Sequence, residues 1–464
     1  MSDYQLMIIG AGPGGYMAAL RAAKLGLRTA VVECREAGGT CLNRGCIPTK
    51  TLLHSSQIYR DAVNGAHAGV HADAVTANVE EMFAYKREIS QKLSGGVESL
   101  LKSAKVDFIR GRATICNPGE VIVTDAEGTQ TTYSSEKIMI ATGSAPAKPP
   151  IPGLDLPGVM TSDDLLDGDG TLYKSIIIIG GGVIGVELAT FYAELGCEVT
   201  IIEGMDRLLP TLDRELGQNL ALILKKQGVK IQTGAMVQNV EQTADGLAVN
   251  YVVKEVPGQA VAEAVLCAIG RRPYMDGLFP GDLQPQMNGR RIQVDENYQT
   301  SIPGIYAIGD VSALIQLAHM ATAQGQHCVD LICGKPNEMD MSIVPSCIYC
   351  RPEIAVVGMT EADAKAAGIP VKVGKCIMFS NARTLIADPG RCFMKVVAHA
   401  ETCEILGAQL MCQNSTDMIS QIAQAMANKM TPQQLLRAMR PHPTFEEALT
   451  DALEDLVAKL NKGV

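Results

Sequence analysis

The 464-residue sequence predicts an α/β protein in which one parallel βαβ unit occurs twice, followed by a smaller C-terminal α+β domain. Three observations carry that prediction. Residues 8–33 (IIGAGPGGYMAALRAAKLGLRTAVVE) and 178–203 (IIGGGVIGVELATFYAELGCEVTIIE) align without a gap at an offset of 170. Each reads as an apolar strand, a glycine turn, an Ala/Leu-rich helix and a second strand ending in Glu. From about residue 343 the pattern changes to strands followed by helices.

In the repeat, Gly10, Gly12 and Gly15 match Gly180, Gly182 and Gly185, and Glu33 matches Glu203. This is the dinucleotide-binding fingerprint. The first glycine permits the tight turn, and the second lets backbone approach a pyrophosphate. The third lets helix pack on strand, and the helix N-terminus favours the phosphate charge. The terminal Glu can accept hydrogen bonds from a ribose diol and would repel the 2′-phosphate of NADP. A lone motif separates poorly from an ordinary glycine-rich turn. Two copies in full βαβ context, each with an acidic residue at the same distance, separate well.

Between the repeats, residues 85–105 have helical amphipathicity and 106–140 alternate like short strands. The Pro-rich stretch SAPAKPPIPG at 144–153 is expected to continue neither helix nor sheet. Gly270-Arg271-Arg272-Pro273 marks another break. Strands are expected in 343–357 and 391–411, and helices in 415–429 and 444–461. The boundaries that follow are 1–147 and 148–270 for the two nucleotide-binding domains, 271–342 for a central segment, and 343–464 for the α+β domain.

The chain is 47% hydrophobic and 19% charged, which suits a large packed core. Its net charge is −10 and it has no Lys/Arg-rich run, so nucleic acid is not an expected partner. It has no apolar stretch of about 18 residues, so no membrane span is expected. The N-terminus, MSDYQLMIIG, lacks a signal-peptide pattern, and a cytoplasmic location is expected. In that compartment most of the 14 cysteines would be small buried hydrophobes. A pair that stays oxidised there would be catalytic.

Cys41 and Cys46, in GGTCLNRGCIPTK at 38–50, are five residues apart. In a regular helix their Cα atoms would be about 8–9 Å apart, whereas a disulfide needs about 4.4–6.8 Å. Any helix here must be distorted, and Gly45 and Pro48 would allow it. The motif follows the first βαβ unit by a few residues and should lie near the first dinucleotide. Cys347 and Cys350 form a C-x-x-C, but residues three apart on a strand face opposite ways, and no second such pair completes a zinc site. Cys34, Cys197 and Cys267 are expected at strand ends or on helices.

The GGTCLNRGCIPTK string closely resembles the redox motif of the pyridine nucleotide–disulfide oxidoreductases, and within them that of the dihydrolipoamide dehydrogenases. The resemblance runs along the chain through KLSGGVESLLKSAKV at 92–106, ATG at 141–143, VMTSDDLL at 159–166, TSIPGIYAIGD at 300–310, LAHMATAQG at 317–325 and RPHPTFEEAL at 440–449. It implies an FAD-binding domain at 1–147 and an NAD-binding domain at 148–270. The segment 271–342 would complete the FAD region, and 343–464 would form the dimerisation domain.

The resemblance implies that Gly10, Gly12, Gly15, Glu33, Lys50, Gly143, Asp310 and Ala318 serve FAD, tightly but not covalently bound. Gly180, Gly182, Gly185, Glu187, Glu203 and Gly270 would serve NAD. Cys41 would meet the substrate, and Cys46 would sit against the flavin. Glu187 stands where the first copy has Met17, an apolar position made ionic, and a Lys50–Glu187 pair beneath the flavin is implied. His319 follows the Asp310 region and reads equally well as structural. His442, oriented by Glu447, would be the acid–base group, with Glu446 a surface charge. Family architecture implies that His442 reaches the cysteines of the other subunit of a homodimer.

The activity so implied is oxidation of protein-bound dihydrolipoyl groups, with electrons passing through Cys41–Cys46 and FAD to NAD⁺. The lipoyl group would come from an acyltransferase or lipoyl carrier protein of a multienzyme complex. A glutathione-type reductase is disfavoured by Glu203. A mercuric reductase is disfavoured by the C-terminus KLNKGV, which has no vicinal cysteines. A mainly docking role in a 2-oxo acid dehydrogenase complex is the non-enzyme alternative. Two departures from the family pattern stand out. Arg44 replaces an apolar residue inside the cysteine loop, where it would either lower a neighbouring thiol pKa or face solvent. Arg440-Pro441 replaces a small polar pair before His442.

Overall fold

In the computed structural model, residues 2–336, 338–387 and 390–462 are described. The first sheet has a parallel part in the order Asp107–Arg110, Thr29–Glu33, Tyr4–Ile9, Gln130–Ile140 and Ile305–Ala307. The beginning of the long strand Gln130–Ile140 pairs instead with an antiparallel meander, Arg112–Asn117 and Glu120–Thr124. The strand Ile305–Ala307 returns to this first sheet from the central segment.

The second sheet repeats the scheme. Lys230–Thr233, Glu198–Glu203, Ser175–Ile179, Ala264–Cys267 and Val159–Thr161 run parallel in that order. A three-stranded antiparallel sheet accompanies it, from Ala235–Thr243, Gly246–Val253 and Val256–Ala262. The duplication therefore extends beyond the βαβ segment to the strand scheme of each unit. Strands covered on both faces read as continuous apolar runs, and Ile176–Ile179 are all buried. Helix Val183–Glu194 is buried almost all round. At about 1.5–3 kcal/mol per fully buried large apolar side chain, Phe191, Tyr192 and Leu188 anchor this helix strongly.

The C-terminal domain is an antiparallel sheet ordered Ser346–Ile348, Ile354–Gly358, Ile405–Met411, Phe393–His399 and Val371–Ile377. One face buries Val357, Met394, Val396 and Leu410 against helices Ser415–Ala427 and Glu447–Asn461. On the other, Phe393, Met411 and Ile354 join the core around helix Val183–Glu194. Lys395 crosses to the second unit, 2.9 Å from Asp213 Oδ2 and 3.2 Å from Glu215 Oε2.

The expectation for 144–153 needs correction. Ser144–Pro146 pairs antiparallel with Arg271–Pro273, so the two sequence breaks form one ribbon between the units. Proline is tolerated there because a two-stranded ribbon is all edge, and its missing N–H need face no partner strand. Cys197 lies in the turn between helix and strand. Among the described residues no helix is long and apolar enough to cross a membrane.

Candidate active site

A cavity of about 1850 Å³ runs between the two glycine turns. Its lining takes in Gly10, Gly12, Glu33, Cys41, Cys46, Lys50, Gly143, Asp310 and Ala318 from the first set of expected residues. From the second it takes Gly180, Gly182, Glu187, Glu203 and Gly270.

The glycine turns are alike atom by atom. Gly10 and Gly180 have φ of +104° and +111°, which disfavour any side chain. A Cβ on Gly15 would lie 1.9 Å from Gly10 O, and one on Gly185 would lie 2.0 Å from Gly180 O. These third glycines are therefore absent from the cavity wall because they seat helix on strand. Gly12 and Gly182 cap their helices with no side-chain hydrogen bond. A Cβ on Gly182 would meet nothing within 4 Å. Open space at an uncapped helix N-terminus fits a pyrophosphate.

Glu33 accepts hydrogen bonds from Ala11 N at 2.8 Å and Arg35 N at 2.8 Å. Glu203 accepts from Gly181 N at 2.5 Å and Met205 N at 2.7 Å. The 170-residue offset thus holds for these four bonds, and both carboxylates are locked facing the cavity with lone pairs to spare. The cavity residues fit two dinucleotides.

The cysteine motif occupies a broken helix. Gly39–Asn43 ends in a turn closed by Arg44 N on Thr40 O at 2.8 Å, and a new helix, Cys46–Val63, starts at the second cysteine. That break brings the two sulfurs within hydrogen-bond reach of each other. The bond from Cys41 and the Lys50 charge outweigh burial and Glu187, and hold the Cys46 thiol down at about 7. The same bond, with burial, pushes Cys41 well up.

Lys50 Nζ lies 2.9 Å and 2.8 Å from the two carboxylate oxygens of Glu187. Glu187 Oε1 also accepts from Tyr349 N at 2.9 Å, and Lys50 Nζ stands 4.8 Å from the Tyr349 ring centre. Burial works against the Lys50 ammonium, but the Glu187 carboxylate dominates and raises the Lys50 pKa. Asp310 accepts from Ser144 Oγ at 2.5 Å, and Ser144 in turn accepts from Arg271 Nε at 2.8 Å. Burial raises the Asp310 pKa. His319 Nε2 lies 2.8 Å from Pro345 O at the cavity edge.

His442 and Glu447 line no part of this cavity. They form their own unit: His442 Nδ1 lies 2.8 Å from Glu447 Oε1, and Glu447 Oε2 accepts from Thr444 N at 2.9 Å. The Thr444 N–H and then His442 hold the Glu447 carboxyl below its ordinary range. The His442 side chain is 72% exposed, so it is free to meet another surface.

Some expectations change. Arg44 neither faces solvent nor acts as the cation beside a thiol. It is 5% exposed, ion-paired with Glu36 and 3.1 Å from Asp167 Oδ2. Glu446 is not a bare surface charge, since it accepts from Gln421 Nε2 at 2.8 Å. Arg440 is partly buried, its Nη1 3.2 Å from Thr450 Oγ1. Cys350 is buried and Cys347 lines the cavity with burial pushing its thiol up to about 11. No metal-binding cluster occurs among the described residues. Sequence reasoning missed Ser144, Arg271 and Tyr349, although Arg271 directly follows Gly270 and was within reach.

The family profile described as pyridine nucleotide-disulphide oxidoreductase matches residues 4–325. The dimerisation domain of the same family matches residues 344–453. Dihydrolipoyl dehydrogenase 3 of Pseudomonas putida is 39% identical, covering 97% of this chain and 98% of its own. A dihydrolipoyl dehydrogenase of Bacillus subtilis is 39% identical over 97% of each. Among solved structures, the Cu(II) complex of the HOCl-induced flavoprotein disulfide reductase RclA from Escherichia coli is 31% identical. Its TM-score is 0.86, covering 98% of this chain and 99% of that one.

Proposed function

The chain belongs to the pyridine nucleotide–disulphide oxidoreductases, and from that membership we propose that it oxidises dihydrolipoyl groups to the cyclic disulfide. It is an NAD-dependent flavoprotein oxidoreductase that uses FAD and NAD, and its dimerisation domain supports a homodimer. Exposed apolar side chains within that domain, Phe379, Leu385 and Ile386, suit such an interface. The observation that carries the substrate reading is the end-to-end 39% identity to dihydrolipoyl dehydrogenases. Glu203 at the second strand end supports NAD over NADP.

When bound, the flavin supplies two-electron redox chemistry and the nicotinamide accepts a hydride. The first turn, with Glu33, Gly143, Asp310 and Ala318, would hold FAD. The second, with Glu203 and Gly270, would hold NAD. The chain's own steps begin with Cys41–Cys46 as a disulfide. His442 of the partner subunit takes a proton from one substrate thiol, because the thiolate is the nucleophile. That thiolate attacks Cys41 Sγ, a substrate–Cys41 mixed disulfide forms, and Cys46 leaves as a thiolate. The second substrate thiol, passing its proton to the departing Cys41 sulfur, attacks the substrate sulfur of the mixed disulfide. The cyclic disulfide forms and Cys41 leaves, so two electrons rest on the pair. Lys50 stabilises the Cys46 thiolate, and Glu447 fixes the ring of His442.

The lipoyl group would arrive on an acyltransferase or carrier protein. The test is a substrate matrix on the purified holoenzyme, with NADH and NADPH each against lipoamide and oxidised glutathione. NADH with lipoamide is expected to dominate. Preference for NADPH with glutathione would overturn the reading.

A further inference from the structure

The residue between the two cysteines that departs from the family pattern is also the most tightly engaged cation of that loop. Arg44 is buried at the seam of three segments. Its guanidinium pairs with Glu36, in the turn after the first βαβ unit, and its Nε lies 3.1 Å from Oδ2 of Asp167. Asp167 ends the helix Ser162–Asp167, which follows the edge strand of the second sheet. Both carboxylates are about half exposed, so the buried partner is the arginine.

The main chain of Arg44 is fixed too. Its N–H closes the first half of the broken helix on Thr40 O. Gly45, next along, is packed so closely that a Cβ would lie 3.1 Å from that same oxygen. Asn43 Nδ2 donates to Ala37 O at 3.0 Å and to Gly39 O at 2.9 Å. The loop that must keep two sulfurs in reach is thus tied at one side chain to both nucleotide-binding units. A planar guanidinium can hold two carboxylates at once, which an ammonium does poorly. The charge beside Cys46 comes from Lys50, so electrostatic activation is not what Arg44 adds.

We infer that Arg44 is a positioning residue that clamps the Cys41–Cys46 loop between Glu36 and Asp167, and so sets how readily the disulfide closes. This rests on the reading of Cys41–Cys46 as the redox pair. Closing the pair is an exchange: a glutathione disulfide takes two electrons from the two thiols, releasing two glutathione thiols. The equilibrium constant measures the effective concentration of one cysteine at the other. A loosened loop lowers that concentration.

The experiment equilibrates the holoenzyme, wild type and Arg44→Met, with mixtures of reduced and oxidised glutathione, and counts free thiols after acid quench. Arg44→Met is expected to shift the equilibrium about tenfold toward the dithiol, which is about 30 mV. Asp167→Asn, a change at a half-exposed site, is expected to shift it the same way by less. The two changes should be less than additive in combination. A shift below twofold in both variants, with unchanged melting temperature, would overturn the clamp. If Arg44→Met does not fold, Asp167→Asn alone decides the matter. Cys41→Ser retaining full lipoamide turnover would instead sink the redox-pair reading, whatever Arg44 does.

Discussion

Lys50 Nζ is held by both oxygens of Glu187, at 2.9 Å and 2.8 Å, and the carboxylate is 4% exposed while the ammonium side chain is 28% exposed. The pair joins the helix that begins at Cys46 to the helix of the second glycine turn. Residue 349 of the C-terminal domain closes it from a third side through Tyr349 N. One ion pair thereby registers the helix that begins at Cys46 against both the second unit and the C-terminal domain.

Lys50→Met should be costly for stability, because it leaves Glu187 buried with a single N–H donor. Removing one partner of a buried pair costs about 3–5 kcal/mol, and the partial exposure of Lys50 places this case near 3. Glu187→Gln, which keeps the shape and the Tyr349 bond, should cost less. Urea unfolding of the apo- and holoenzyme measures both, and equal stabilities for wild type and Lys50→Met would contradict the assignment.

The Cys46 thiol, lowered from an ordinary value of 9.0 to about 7, predicts a pH profile for the reduced enzyme. A depressed thiol pKa means that thiolate is present above about 7 and is lost as pH falls through it. In the reduced apoenzyme, where no flavin covers Cys46, iodoacetamide should therefore modify it with a rate that is half-maximal near pH 7 and flat by pH 9. In Lys50→Met the midpoint should move up, since an attracting charge is gone. Mass spectrometry of the labelled peptide assigns the site, and a midpoint above 9 in wild type would refute the arrangement.

His442 and Glu447 are 2.8 Å apart but line no part of the cavity that holds Cys41. Co-expression of Cys41→Ser and His442→Gln chains should restore one working site per heterodimer, so about half the wild-type turnover, because a two-fold dimer pairs each loop with the opposite His442. Either homodimer should be nearly inactive. No recovery in purified heterodimer would place the base elsewhere. Glu447→Gln should lower kcat about 100-fold, the lower range for loss of oriented acid–base catalysis.

Glu203 is fixed by Gly181 N and Met205 N. Glu203→Gln keeps those acceptors in part but loses the charge that repels a phosphate. The ratio of kcat/KM for NADH to that for NADPH should fall about tenfold, the effect of one charge-assisted hydrogen bond of about 1.4 kcal/mol. An unchanged ratio would mean that the ribose is read by other groups.

Much of the site was legible in advance because it is written locally. The glycine turns, Glu33 and Glu203 each depend on a few consecutive residues, and repetition at one offset doubled the signal. The residues that escaped notice act over long range. Arg271 reaches Ser144, Tyr349 reaches Glu187, and Arg44 reaches Asp167 across 123 positions. Glu36 is only eight positions from Arg44, but nothing near the loop indicates that Asp167 awaits it as well, so its burial could not be read from the loop.

The sequence by itself determined the two βαβ units and their turns, and placed two cysteines in one short motif beside the first, since apolar strand runs, helix composition and glycine turns are local properties of the chain. Only the tertiary structure decided which cation stands beside Cys46, that the two sequence breaks pair as a ribbon, and that His442 lines no part of the cavity of its own chain. Those outcomes depend on which distant surfaces pack together. Packing places Lys50 beside the thiol and Arg44 between carboxylates, although both are basic residues within four positions of Cys46.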